Sequence, residues 1–517
     1  PRATLFPYTT LFRSDSVSIR TVTVLIWIMA CLFNITGCTQ GKTVELAHQT
    51  EEALIQVMDD SIVSVGSIHC DPLTQELTVV DASLTELEQI LPLLPHLRKL
   101  TLEGNIPDIP SLKNLMTFYP ELTLSCQVNL GGNSIRTDTQ MLDLSGTFTT
   151  FDELNLVLPL FRNLQELSLT GTGFSDEEAM YLADSNSDIL VRFELSLAGQ
   201  RFMTDSLEID LSGSTATVEE VERMLPYFRR LKKLDLSFCG ISDEEMEALN
   251  QRHPEISIVW TLQIGEAKTR TDAVYFYPAE VNYYPTNEEM KKLRYCHDMI
   301  AVDIGHTRAT DCEFLWHMPN VKYLILADTG ITDITPVGNL KELIYLELFN
   351  LKIDDYSPLL NCTKLQDLNI GTTYADPDPL SRMTWLHNLQ WHRSDQNPET
   401  KEAVLKLPEQ LPDTNVVLFP KKKARNIGGP WRYIPNYYVF RDIIGATYFN
   451  QDQIADYWGE EDAARIMACE SGKSFCADTL AQIIRERIDN HEPIIGIKNT
   501  DSEKAEILYQ SLLNAKP

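Results

Sequence analysis

Self-similarity at a fixed spacing constrains the fold of this 517-residue chain more than any other sequence feature. Three LxxLxL segments, at 97–102, 164–169 and 231–236, follow one another at intervals of 67 residues. A Leu-Pro dipeptide precedes each segment, and Thr-Asp pairs recur with the same period. Agreement at so many positions indicates a repeat protein, in which each unit buries its apolar face only by stacking on its neighbours.

Each 67-residue unit has room for several elements, and the third unit shows their order. Asp210 opens a strand, 218–227 carries apolar residues at helical spacing, and 231–236 is a second strand. Ser242 precedes three acidic residues, as an N-cap does, and 256–264 alternates apolar and polar residues as a strand does. The pattern predicts strands separated by helices.

After residue 298 the period shortens to 22 residues. Val302, Leu324, Leu346 and Leu368 keep this spacing, and Leu389 follows after 21 residues. The leucines of such units point inward and stack on those of the next coil. We therefore predict that these residues lie on parallel strands, which form a sheet on the concave side of a solenoid.

The short units resemble the internalin-type leucine-rich repeat of bacterial surface proteins. After LxxLxL they continue with Ile353-Asp354 and then Ser357-Pro358, which turn the chain back along the convex side. The resemblance covers 299–395 well, and a looser likeness covers 76–298. It implies an α/β fold, a leucine-rich-repeat solenoid, and a protein that binds a protein partner rather than catalysing a reaction.

One position departs from that family's pattern. The residue after LxxLxLxx is usually Asn, whose side chain satisfies the backbone of the turn. In this chain the position is held by Asn105, Thr172, Cys239, Thr307, Thr329, Leu351 and Thr373. Thr supplies part of that hydrogen bonding and Leu351 supplies none, so we expect an irregular strand ladder. We expect Cys239 to have a structural role.

The N-terminal residues divide into segments that do not belong to the repeats. Residues 1–14 resemble the translation of a sequencing adapter, so we expect them to be an artefact. Residues 15–37 combine a basic flank, a short apolar run and Ile35-Thr36-Gly37, as a signal peptide does. Their end resembles the bacterial lipobox, which implies lipidation of Cys38 and a lipid-anchored protein on the extracellular face of the cell membrane. We interpret 38–75 as a tether.

The C-terminal part of the chain has a different composition. The long-period repeats occupy 76–298, and the short repeats with a last strand occupy 299–425. We interpret 426–517 as a cap or a small α/β domain. Its pattern predicts four helices, near 451–458, 461–469, 474–489 and 501–514. It also predicts one short strand, near 493–497. Cys469 and Cys476 either form a disulfide or remain buried thiols.

Charge and motifs restrict the function. The formal net charge of −30 disfavours binding to nucleic acid or to an anionic membrane surface. Ser471-Gly-Lys-Ser474 is not a phosphate-binding loop, because Met467 stands where the first Gly belongs. We expect no metal, no cofactor and no catalytic set. The alternatives are an enzyme or separate functional domain in 426–517, and a purely structural envelope protein.

The residues between the inward leucines define the candidate binding site. Tyr323, Ile325, Tyr345 and Phe349 are predicted to form an exposed patch on the concave side, with Glu347 beside them. Aromatic side chains on a rigid sheet are typical anchors for a protein partner. We therefore expect these residues to bind a host or bacterial surface protein, with a glycan or wall polymer as the weaker choice.

Overall fold

The computed structural model describes residues 62–278, 284–353, 355–371, 375–392, 398–419, 429–445, 451–470 and 476–515. The chain divides into two compact units, Pro1–Phe193 and Glu194–Pro517. The predicted artefact, the signal peptide, Cys38 and Ser471-Gly-Lys-Ser474 lie outside the described residues. Among the described helices, none has the length and apolar character needed to cross a membrane.

The described part of the first unit contains two parallel sheets, β3-β4-β5 and β8-β9-β10, and two antiparallel hairpins, β1-β2 and β6-β7. Its strands are β1 (Val63–Val65), β2 (Ile68–Cys70), β3 (Glu76–Val80), β4 (Lys99–Glu103), β5 (Thr123–Ser125), β6 (Gln127–Leu130), β7 (Asn133–Arg136), β8 (Met141–Asp143), β9 (Glu166–Ser168) and β10 (Leu190–Arg192). Its helices are α1 (Leu84–Ile90), α2 (Ile109–Thr117), α3 (Phe151–Val157) and α4 (Asp176–Ser185).

The 67-residue period is visible in this unit as a repeated order of elements. α1 and α3 both begin with a capping box, at Ser83 and Thr150, which satisfies free N–H groups of the first turn. The Leu-Pro dipeptide that follows each helix starts a single turn of 3-10 helix. Hairpin β1-β2 lies about one period before β6-β7, so repeat-like structure begins within the segment interpreted as a tether.

The recurrent Thr-Asp pair closes each hairpin onto the strand before it. The buried Thr137 hydroxyl donates to the Leu124 carbonyl at 2.6 Å and accepts the Cys126 N–H at 3.0 Å. Asp138 pairs with Lys99 on β4, with 3.1 Å between nitrogen and oxygen. The pair therefore joins sheet and hairpin, which explains why it recurs with the full 67-residue period.

Arg162 joins neighbouring repeats of the first unit. Its guanidinium donates to the carbonyl of Met116 in the last turn of α2 at 2.5 Å, and to the carbonyls of Tyr119 and Pro120 just beyond that helix at 2.5 and 2.7 Å. We expect Arg162→Met to cost about 1.4 kcal/mol, because hydrogen bonds from a charged donor are lost at a partly exposed site. Hydrogen exchange over 109–125 should then become about tenfold faster. Arg98→Met, at an exposed position, is the control, and equal exchange in both variants would contradict this role.

The second unit repeats the same elements once and then changes to one wide sheet. Its strands are β11 (Glu194–Leu197), β12 (Gln200–Met203), β13 (Glu208–Asp210), β14 (Lys233–Asp235), β15 (Ser257–Val259), β16 (Thr261–Ile264), β17 (Ala267–Arg270), β18 (Tyr275–Phe276), β19 (Ala301–Asp303), β20 (Tyr323–Ile325), β21 (Tyr345–Glu347), β22 (Asp367–Ile370), β23 (Asn388–Trp391) and β24 (Asn415–Leu418). Its first helices are α5 (Val218–Met224), α6 (Asp243–Arg252), α7 (Asn287–Met290), α8 (Asp378–Ser381) and α9 (Pro398–Gln410).

Strands β18 to β24 form one seven-stranded parallel sheet. Val302, Leu324, Leu346, Leu368 and Leu389 pair in register across it, and all five are fully buried, as the 22-residue spacing predicts. The described strands of this sheet pair without interruption, so the expected irregular ladder is wrong here. In the 67-residue units, by contrast, the strands do form separate sheets of three.

Threonine replaces asparagine at the turn of the short repeats by hydrogen bonding to the backbone. The hydroxyls of Thr307 and Thr329 donate to the carbonyls three residues earlier, at 2.7 and 2.8 Å. Leu351 is fully buried instead, so it adds apolar contact where it cannot add a hydrogen bond. The Cys239 thiol bonds the Leu211 carbonyl at 3.1 Å, which is a structural role.

The remaining described residues, 429–445, 451–470 and 476–515, are here named the C-terminal segment. Its helices are α10 (Pro435–Ile443), α11 (Gln451–Trp458), α12 (Glu460–Glu470), α13 (Cys476–Asp489) and α14 (Ser502–Leu513). Four of them match the predicted helices. The strand predicted at 493–497 is wrong, because Pro493 has no N–H to donate and Gly496 adopts a positive φ of 86°.

Candidate functional site on the covered face of the seven-stranded sheet

The side chains that alternate with the buried leucines lie on the opposite face of the seven-stranded sheet, here named the covered face. The strand register aligns them in two rows. The first row contains Ala301, Tyr323, Tyr345, Asp367 and Asn388. The second row contains Asp303, Ile325, Glu347, Asn369 and Gln390.

The C-terminal segment packs on this face, which corrects the expectation of an exposed patch. Tyr323, Tyr345 and Glu347 are 0% exposed, and Ile325 is 6% exposed. Tyr323, Ile325 and Tyr345 share one apolar cluster with residues of α10 to α14, and Phe349 packs against the edge of that cluster, half-buried. The face binds a polypeptide through the predicted anchors, but that polypeptide belongs to the same chain.

Tyr345 is the centre of the aromatic contact. Its ring stacks on Phe440 of α10, with centroids 6.0 Å apart and 12° between the planes. Trp431 and Tyr437 lie against it at 5.4 and 6.1 Å, and Phe440 also reaches Tyr323 at 6.4 Å. Aromatic pairs at these distances are stabilising beyond the area that they bury, so Tyr345 anchors the C-terminal segment.

Glu347 binds the same part of the C-terminal segment through polar contacts. One carboxylate oxygen accepts hydrogen bonds from Arg432 Nη1 at 2.9 Å and from Trp431 Nε1 at 3.1 Å. The same oxygen accepts a hydrogen bond from the Tyr345 hydroxyl. Burial works against the charge of Arg432, but Glu347 outweighs it and holds the Arg432 pKa above its usual range. The Arg432–Glu347 contact therefore has the geometry of a salt bridge, with 2.9 Å between nitrogen and oxygen.

Asp367 is the second acidic contact of the covered face. Its two oxygens accept Asn388 Nδ2 at 2.6 Å and Asn436 Nδ2 at 2.8 Å. Asn436, on α10, also donates to Gln366 at 3.0 Å. Burial raises the Asp367 pKa to about 6, although both amide contacts favour the charged form.

The last helix, α14, holds the edge of the sheet through backbone carbonyls. Lys504 Nζ donates to the carbonyls of Leu386 at 2.5 Å and Asp413 at 2.7 Å. Burial, followed by the charge of Lys504, lowers the His387 pKa to about 3, so His387 is neutral at physiological pH. Lys322 reaches the Asn514 carbonyl at 2.9 Å, which fixes the end of α14.

Some polar atoms in this interface lack a partner. Within the described residues, Tyr323 Oη, Glu347 Oε2, Asn369 Oδ1 and Asn436 Oδ1 are buried and form no hydrogen bond. A buried polar atom without a partner costs about 1–3 kcal/mol. The C-terminal segment is therefore a good apolar match for the covered face and an incomplete polar match.

Asp303 is predicted to make stability depend on pH. Its carboxylate accepts the Gly305 N–H at 2.9 Å and lies 3.9 Å from Arg441 Nη1, with Glu347 and Arg432 as the other nearby charges. Burial raises its pKa from 3.8 to about 6. The stabilisation by the bound proton is therefore complete below about pH 4 and is lost as the pH rises through 6.

Asp303→Asn removes this dependence while its uncharged side chain can still accept the Gly305 N–H. Between pH 4 and pH 7.5, the free energy of unfolding of the variant should rise by about 2.5 kcal/mol relative to the wild type. Urea unfolding followed by tryptophan fluorescence measures it. His387 contributes equally to both proteins, so it cancels. A constant difference across this pH range would contradict the raised pKa.

The described cysteines, including Cys469 and Cys476, form no disulfide with one another, so the disulfide alternative is not seen. Burial raises the pKa of Cys296, Cys312 and Cys362 to about 12, which keeps them protonated core residues.

No group of three or more His, Cys, Asp or Glu side chains suited to a metal ion occurs within the described part of the chain.

The sequence prediction missed the residues that occupy the covered face. These are Trp431, Arg432, Asn436, Tyr437, Phe440, Arg441 and Lys504. α10 is buried on nearly every side, and its buried residues include the polar Asn436 and Arg441 as well as aromatic ones. The available signal was the high density of aromatic residues in this stretch, because such side chains require other elements around them.

Comparison with known protein families finds one leucine-rich repeat in the chain. Residues 230–249 match the leucine-rich repeat family, and no curated protein matches the chain. Similar solved structures include three proteins of Listeria monocytogenes. Internalin C2 is 20% identical over 41% of this chain and 79% of its own, with a TM-score of 0.22. The internalin InlF is 18% identical over 71% and 80%, also with a TM-score of 0.22.

The functional domain of InlJ, which includes a cysteine ladder, is 12% identical over 69% of this chain and 66% of its own, with a TM-score of 0.23. Scores this low do not support a transfer of function. The chain contains a leucine-rich repeat, and the described residues mix helices with parallel sheets. Its function has to be inferred from its own geometry.

Proposed function

We propose that this chain is a non-catalytic recognition module, which binds a protein through the covered face while a lipid on Cys38 holds it at the extracellular side of the membrane. One observation carries the proposal: the covered face binds a polypeptide through Tyr345, Glu347 and Asp367. Large aromatic residues beside charged groups in a desolvated centre are typical of protein interfaces. The function needs no cofactor.

A photo-crosslinker at the rim of the covered face tests recognition. Phe349 is half-buried and lies 5.4 Å from the His392 ring, so a benzoylphenylalanine there samples the surroundings of the face. Trp316, on a 3-10 turn outside the sheet, is 48% exposed and is the matched aromatic control. We expect one host or bacterial surface protein to be linked through position 349 and not through 316. Equal products at both positions, or none, would overturn the proposal.

The proposed anchor has a separate test. Lipid chains on Cys38 would hold the protein at the membrane by burying their methylene groups. We therefore expect Cys38→Ser to move the protein from the membrane fraction to the medium, and to abolish incorporation of labelled palmitate. Cys31→Ser is the control, since Cys31 lies within the predicted signal peptide. Unchanged fractionation of the Cys38 variant would contradict lipidation.

A further inference from the structure

We propose that the C-terminal segment is an exchangeable intramolecular ligand, which a partner helix carrying aromatic and arginine side chains displaces from the covered face. This inference rests on the proposed function and names both the regulation of the site and the chemistry of its partner. The partner presents side chains equivalent to Trp431, Arg432 and the residues of α10 that contact the covered face.

The contacts are concentrated in one short stretch of sequence. Trp431 and Arg432 contact Glu347, and Asn436, Phe440 and Arg441 follow along the chain. Asn436 and Phe440 are four residues apart and therefore lie on the same side of α10, whereas Arg441 lies about 100° further round the helix. Asn436 reaches Asp367, Phe440 reaches Tyr345, and Arg441 lies near Asp303. A single helix with a short N-terminal extension therefore supplies most of the recognition.

The charges of the covered face specify the partner. Three carboxylates, Asp303, Glu347 and Asp367, lie in its two rows, whereas α10 and the turn before it bring two guanidiniums, Arg432 and Arg441. Charge complementarity across an interface selects partners and suppresses wrong ones. A partner of this face is therefore basic and aromatic, and an acidic helix is excluded.

The internal ligand leaves acceptors unused that a better ligand would fill. Glu347 Oε2 and Asn369 Oδ1 are buried on neighbouring strands and, within the described residues, receive no hydrogen bond. Both atoms accept and neither donates. A partner that adds an arginine or lysine there gains contacts that the C-terminal segment lacks. Burial also raises the pKa values of Asp303 and Asp367 to about 6. The arrangement in which the C-terminal segment lies on the covered face is therefore less favourable at neutral pH than in acid.

A peptide exchange experiment tests the proposal on residues 39–517, which omit the signal peptide and the proposed lipid anchor. The probe is a fluorescent peptide with the sequence of residues 429–445, and anisotropy measures its binding. The host proteins are the wild type and Arg432→Ala/Asn436→Ala, which weakens the internal ligand and leaves the covered face unchanged. A control peptide carries Arg432→Gln and Arg441→Gln.

We expect the peptide to bind the double variant at least tenfold more tightly than the wild type, since the wild-type face is occupied. Adding Glu347→Ala to the double variant should reduce binding at least tenfold, and the control peptide should bind weakly to every host. Equal binding to wild type and double variant, or binding that ignores Glu347→Ala, would overturn the proposal.

A second host keeps the test valid if the double variant is poorly folded. Lys504→Ala weakens the attachment of α14 at the sheet edge, away from α10, and should also increase peptide binding. If neither host binds the peptide although both give the circular dichroism spectrum of the wild type, the proposal that the C-terminal segment is exchangeable would be overturned. If a protein is crosslinked at position 349 but the peptide does not exchange, the recognition function is supported and the exchange proposal is wrong. If the peptide exchanges but no protein is crosslinked, the exchange proposal is supported and the recognition function is wrong.

Discussion

Tyr345→Ala is expected to lower the free energy of unfolding of the second compact unit by about 3–5 kcal/mol. Tyr345 is fully buried between the sheet and α10, where its ring contacts Phe440, Trp431 and Tyr437. Truncation removes these contacts and leaves a cavity that strands β20 and β22 cannot fill, because their backbones are fixed by ladder hydrogen bonds. The loss combines transfer free energy with the cost of the cavity.

Tryptophan fluorescence during urea unfolding measures this loss selectively. After the predicted signal peptide, every tryptophan of the chain lies in the second unit. Tyr345→Phe is the matched control. It keeps the ring and removes only the hydroxyl, while Trp431 retains Glu347 as an acceptor, so we expect a loss of about 1 kcal/mol. Similar losses in both variants would show that the ring contacts are not the main contribution.

Glu347→Ala is expected to cost about 3 kcal/mol, the lower end of the range for breaking a buried ion pair, because Arg432 is about one quarter exposed. The substitution leaves the Arg432 guanidinium and the Trp431 indole N–H without their shared acceptor. The same fluorescence experiment measures the effect. The loss should persist in 1 M NaCl, because a buried pair is screened far less than a surface pair.

The control for Glu347 is another ion pair between neighbouring short repeats. Lys364 and Glu342 approach to 2.6 Å at the surface, with both side chains largely exposed. Glu342→Ala should cost less than about 1 kcal/mol. If Glu342→Ala proves as costly as Glu347→Ala, the covered face has no special part in holding the C-terminal segment.

The strand register was predictable from the sequence because it depends on local spacing. An interval of 22 residues places Leu324, Leu346 and Leu368 on neighbouring strands whatever else the chain does. The same spacing determines which residues face the opposite way, so Tyr323, Ile325, Tyr345 and Glu347 were correctly placed together on one face of the sheet. Capped helices were predictable for a similar reason, since Ser242 and the acidic residues after it stabilise a helix start locally.

The burial of the candidate site was not predictable in the same way. Spacing shows that Tyr323 and Tyr345 leave the repeat core, but it carries no information about a segment nearly a hundred residues further on. α10 begins at a proline and is rich in aromatic residues, which are weak helix formers. Its helical structure therefore depends on the tertiary contacts with the covered face, which local sequence does not encode.

A photo-crosslinker in place of Phe440 tests most directly whether the C-terminal segment occupies the covered face. Phe440 is fully buried and its ring lies about 6 Å from that of Tyr345, so a benzoylphenylalanine should link to 323–325 or 345–347 within the same chain. The product should have the mass of a monomer. A crosslinker at Ile507, which is 46% exposed, should give no such link. Links from position 440 only to other parts of the C-terminal segment would contradict the docked arrangement.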